Sequence, residues 1–171
     1  MLPDYELKLS RVYLAGALGS VVGGVLGTVL QLGWSVVNSG GVEPDQLAQI
    51  RIQIVGFSIL ASIVFLIGLA TLGAPGWLIM HRLGRRRWFD AMALGAVLAF
   101  AAYFALSYLP LVFHGQGSDY SSEDGGVPTV EHYRLTAQGW RFLIEGALIQ
   151  AVAGAAAGVT IWRISYRRIV N

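Results

Sequence analysis

The sequence predicts an all-α integral membrane protein, an antiparallel bundle of four transmembrane helices with both termini cytoplasmic. Three observations predict it: four long apolar stretches, tryptophans gathered at their ends, and basic residues concentrated on one side of them. The chain has 171 residues, of which 55% are hydrophobic and 13% charged. A helix that crosses the hydrocarbon core needs about 20 mostly apolar residues, because the core is roughly 30 Å thick. Residues 13–37, 54–80, 88–113 and 140–162 meet that requirement. None shows the polar face that a water-soluble helix carries at helical spacing. The whole chain therefore reads as one four-span domain.

The first span, 13–37, is longer than the apolar core of a signal peptide and is expected to remain as an anchor. A loop follows in which Ser39, Gly40, Gly41 and Pro44 mark a turn. The second span, 54–80, contains Gly73-Ala74-Pro75-Gly76. Proline lacks an amide hydrogen and its ring crowds the preceding turn, so a kink is expected there. A broken helix that offers its backbone to an ion or substrate is the functional alternative. A compact link holding Arg82, Arg85, Arg86 and Arg87 leads to the third span, 88–113. The outer loop, 114–139, is the one sizeable extramembrane segment; its stretch 127–135 is compatible with a short strand or turn. The fourth span, 140–162, closes the bundle.

Trp34, Trp77, Trp88, Trp140 and Trp162 all fall at span ends, where the amphipathic indole favours the headgroup level. Orientation follows from Lys8, Arg11, Arg82, Arg85, Arg86, Arg87, Arg163, Arg167 and Arg168, which share one side. Arg51, Arg134 and Arg141 lie on the other, among six carboxylates. Basic loops stay in the cytoplasm, so the expected arrangement is N-in and C-in. A composition rich in Arg, Ala and Gly, with Lys8 its one lysine, points to a bacterial inner membrane. The four arginines 82, 85, 86 and 87 are expected to meet anionic lipid headgroups, at about 1 kcal/mol each near the surface. Nucleic-acid binding is not implied, because the formal charge is only +2 and is split between two sides.

Small residues recur every fourth position in two spans. The first carries Ala15, Gly19, Gly23 and Gly27, continued by Gln31; the fourth carries Gly146, Gln150, Gly154 and Gly158. Such ridges let helix backbones approach closely in lipid. Matched by depth, Gln31 faces Gly146, Gly27 faces Gln150, Gly23 faces Gly154 and Gly19 faces Gly158. Close antiparallel packing of the first and fourth spans is therefore expected, with each glutamine amide reaching a backbone carbonyl or the other amide. A partner chain on one of the ridges is the alternative.

Apart from Asp90 at the start of the third span, Glu145 is the one acidic residue within the four spans. Arg141 stands one turn before it, so an ion pair is available. The plain reading is an interfacial pair near the helix start; the sharper one is a proton- or cation-binding carboxylate. Asp90 is expected to stabilise the start of the third span, paired with Arg86 or Arg87. His81, His114 and His132 lie at span ends or in the outer loop, so no haem is expected. His114, His132, Glu131 and Asp119 share the outer side without a metal-ligand spacing. The absence of cysteine excludes disulfides and thiol chemistry. No Walker, G-x-S-x-G or H-E-x-x-H motif occurs. No cofactor or metal is expected. Three functions remain: a non-catalytic accessory or assembly subunit of a larger inner-membrane complex, a small homo-oligomeric transporter or channel using Glu145, and an enzyme acting on lipid or quinone. The first leads, and it implies other integral membrane proteins as partners.

Overall fold

The computed structural model describes residues 5–7, 9–38, 47–85, 87–114, 121–124 and 127–168. Within them the protein is helical apart from short terminal and loop strands, with four long apolar helices packed together. Helix α1 spans Leu9–Asn38. The second span is composite: α2 covers Leu47–Gly68, a π-helical segment covers Leu69–Gly73, and α3 covers Ala74–Arg82. Helix α4 spans Trp88–His114 and α5 spans Ala137–Ser165. All four spans are long and apolar enough to cross a membrane, the length and composition of a multi-pass membrane protein.

Each helix outruns its apolar stretch, because polar turns at the interface stay helical. The second begins at Leu47 rather than near residue 54 and carries Arg51 in its first turns. The expected turn at Ser39–Gly41 and Pro44 lies outside the described residues, as does Arg86. Helix α5 starts at Ala137 because Thr136 caps it: its hydroxyl oxygen accepts from the Gly139 amide at 3.1 Å. Glu145 therefore lies in the third turn, beyond the reach of the helix-start dipole.

The second span, expected to kink or break at Pro75, runs through it without a break. Proline cannot donate to the carbonyl four residues back and crowds it. The chain responds by widening one turn: the Ala74 amide bonds the Leu69 carbonyl, five residues back. Gly73 and Ala74 both keep right-handed helical dihedrals, so no broken helix exposes its backbone there. Helix α3 then ends in a Schellman turn. The Arg85 amide reaches the Met80 carbonyl at 3.0 Å and the Gly84 amide reaches His81 at 3.1 Å. Gly84 sits at φ 72°, where a side chain would be strained.

The helices form an open row in the order second span, α1, α5, α4. Its middle members are the two rich in small residues: 39% of the apolar window is buried in α1 and in α5, against 6% in the second span and none in α4. Small side chains permit close backbone approach on two sides at once. The bulkier second span and α4 each have one close neighbour over most of their length. They meet each other mainly where the π segment and α3 lean on α4.

At one end, β1 (Tyr5–Leu7) pairs antiparallel with β5 (Tyr166–Arg168), tying the two termini together beside the arginine link. At the other end, β2 (Ser122–Asp124), β3 (Val127–Glu131) and β4 (Arg134–Leu135) form a small antiparallel sheet, realising the expected strand and turn at 127–135. Glu131 pairs with Arg134, leaving His132 and Tyr133 as a two-residue loop at φ 48° and 61°. Positive φ at both positions matches the twist of a tight hairpin, although glycine or asparagine usually serves there.

Candidate functional site

Among the described residues a half-open cavity of about 510 Å³ is walled by all four spans. It exists because the second span and α4 diverge on either side of the small-residue pair α1 and α5. Its walls are mostly apolar; the polar atoms come from Gln150, the hydroxyls of Tyr13 and Tyr103, and the indoles of Trp77 and Trp162. The rim includes Leu66, Leu72 and Leu106, which are 46%, 54% and 66% exposed, so the cavity is continuous with the lipid-facing surface. Along α4 its wall runs from Ala91 to Leu106, about 22 Å at ~1.5 Å per residue.

An aromatic cluster flanks the basic end. Tyr166 is 4% exposed; its ring meets Trp77 edge-on at 5.7 Å and Trp162 at 6.2 Å. His81 Nδ1 lies 2.9 Å from the Tyr166 hydroxyl. Trp77 and Trp162 also line the cavity, and the Tyr166 ring of β5 packs against both. Beyond the cluster, Arg82, Arg85 and Arg87 are exposed. The Arg87 guanidinium lies over the Phe89 ring at 5.6 Å, and the Asp90 carboxylate accepts from the Arg87 backbone amide at 3.4 Å. Asp90 thus acts as the third-position acid of a capping box, bonded to the Arg87 backbone.

The small-residue ridges are used on more sides than their spacing suggested. Gly27 stands against the Gln150 amide and Ala153, and Gly19 against Ala157 and Ile161, so α1 and α5 pack antiparallel. Gly23 is occupied by the Phe65 ring, and Gly24 by the Ser62 backbone, both of α2. The expected partners Gly154 and Gly158 are not among the nearest atoms that a methyl group at Gly23 or Gly19 would meet. Gly154 packs on Gly95 and Ala99, Gly158 on Ala91, and Gly146 on the Tyr103 hydroxyl, all of α4. The missed signal was a third ridge, Ala91-Gly95-Ala99, at the same four-residue spacing.

The polar residues are spread out. Arg141 Nε donates to Glu145 Oε1 at 2.8 Å, with the two side chains 62% and 24% exposed. Glu145 Oε2 and Gln31 Oε1 are buried without a hydrogen-bond partner. Glu145 does not line the cavity. On the outer hairpin, Glu131, His132 and Arg134 border a second hollow of about 500 Å³. Asp119 and the His114 side chain lie outside the described residues. Among the described residues no three metal-ligating side chains cluster.

Comparison with known protein families, with curated proteins and with solved structures returns no match. The arrangement itself must therefore carry the functional reading. It offers an apolar chamber flanked by an aromatic cluster, with exposed arginines at the same end and the charged residues outside the chamber.

Proposed function

We propose that this protein is a non-catalytic accessory or assembly subunit of a larger complex in a bacterial inner membrane, with both termini cytoplasmic. The observation that supports this is the open helix row. The second span and α4 lie at its two ends and leave most of their surface outside the bundle. Helices in lipid associate through van der Waals packing and interhelical hydrogen bonds, not through hydrophobic drive. End helices with one close neighbour each are where helices of other subunits add contacts. The orientation rests on the clustering of Lys and Arg with the termini and the α3–α4 link.

A second reading, transport through a homo-oligomer around Glu145, draws on the buried, unpartnered Oε2 of that carboxylate. The ion pair with Arg141 at the lipid-facing side, away from the cavity, favours the first.

Purification from the native membrane in a mild detergent, followed by mass spectrometry of retained proteins, tests both. A subunit brings defined partners in fixed ratio, and Glu145→Gln leaves that ratio unchanged. A homo-oligomer with no other protein, and ion or substrate flux abolished by Glu145→Gln, would overturn the subunit reading in favour of transport.

A further inference from the structure

We propose that the central cavity is a binding site for a single anionic phospholipid. One acyl chain occupies the cavity and the phosphate lies against Arg82, Arg85 and Arg87. This assignment is independent of whether the protein has partner subunits.

Four observations carry it. The cavity, about 510 Å³, falls within the range of small-molecule sites, and its walls are mostly apolar. A void of that size forfeits dispersion contacts on every wall, so inside a bilayer hydrocarbon fills it. Its shape suits a chain: about 22 Å along α4, longer than the ~15 Å half-thickness of the hydrocarbon core. It opens sideways past Leu66, Leu72 and Leu106, which gives a lipid tail a route from the membrane without crossing water.

The charge lies at the matching end. Helices α3 and α4 both line the cavity, and the link between them carries the exposed arginines. The Schellman turn at Gly84 brings the chain back towards α4 with Arg85 in the turn. From Arg82 to Asp90 the sequence holds one carboxylate, and Asp90 is turned to its own helix start. A phosphate at this edge meets several guanidinium groups, and arginine suits phosphate geometry.

Two glycines make the proposal directly testable. Gly16 and Gly68 line the cavity, and a methyl group added at either meets no atom within 4 Å. Leucine at both positions fills the chamber while raising helix propensity, so the fold is retained. Ala102→Phe fills it from the α4 side.

The experiment is native mass spectrometry of the full chain released from mixed micelles. These contain equal amounts of palmitoyl-oleoyl phosphatidylglycerol and palmitoyl-oleoyl phosphatidylcholine. One phosphatidylglycerol retained per chain is expected. Gly16→Leu with Gly68→Leu, and separately Ala102→Phe, should lose it while circular dichroism reports unchanged helix content. Changing Arg82, Arg85 and Arg87 to Gln should keep a bound lipid but remove the preference, by up to about fivefold per arginine. Equal retention of the two lipids by the unmodified chain would overturn the headgroup assignment. Retention of the wild-type adduct by both filled variants would overturn the cavity assignment. A lipid-free dimer would give the chamber to a second copy and overturn both.

Discussion

At the scale of single residues, the same amino acid does opposite work at different places in this bundle. A methyl group on Gly95 would fall on the Gly154 carbonyl, whereas one on Gly68 would point into empty space. Gly95→Ala should therefore destabilise the protein by about 1–3 kcal/mol, the usual cost of overpacking a close contact. Gly68→Ala should instead stabilise it by about 0.5–1 kcal/mol, because the helix loses its most flexible residue. Thermal unfolding in detergent distinguishes the two, and a common sign for both changes would contradict the packing described. Spacing alone showed that Gly19, Gly23, Gly27, Gly154 and Gly158 lie on ridges. It did not show which neighbour each ridge meets, because a single stripe drifts by about 40° every four residues and two helices compete for it. Gln150 was legible in both respects, since its depth matched Gly27 and the two do meet. The Arg141–Glu145 pair was legible for the opposite reason: one helical turn makes the contact local.

At the scale of elements, the second span and the terminal strands show how local chemistry and long-range contact share the work. Pro75 signalled an irregularity, and the irregularity is a wide turn, Leu69–Gly73, that keeps the helix continuous. A proline in sequence states only that one hydrogen bond is missing; whether the chain bends or widens depends on the helices packed beside it. The β1–β5 pair had no sequence signal, since each strand is three residues long and its partner lies at the opposite terminus. What makes β5 matter is Tyr166. Tyr166→Phe keeps the ring and removes the hydroxyl that faces His81, and should cost about 1 kcal/mol. Tyr166→Ala removes the buried ring that joins Trp77 to Trp162 and should cost about 3–5 kcal/mol. Unfolding midpoints of the two variants measure this, and equal losses would mean that the ring contributes nothing beyond its hydroxyl.

At the scale of the whole molecule, the chain's lack of cysteine gives a clean test of topology. Single cysteines placed at Leu83, 69% exposed on the basic end, and at Ser121, exposed beside the outer sheet, report opposite sides. A membrane-impermeant thiol reagent applied to intact cells should modify Ser121→Cys and spare Leu83→Cys; the reverse pattern would invert the proposed orientation. Helix number, approximate span limits and the shared side of both termini were readable from composition along the chain. Each depends on how much apolar surface a short segment carries, and bilayer thickness imposes that requirement segment by segment. The order of the row, the turning of α5 towards α4 and the chamber between the second span and α4 were not readable. They arise where non-adjacent helices choose among several small-residue faces, and in lipid that choice rests on shape and packing. Hydrophobicity drives every span into the membrane alike, and only the fit of Gly95 against Gly154, or of Phe65 over Gly23, decides which spans lie side by side.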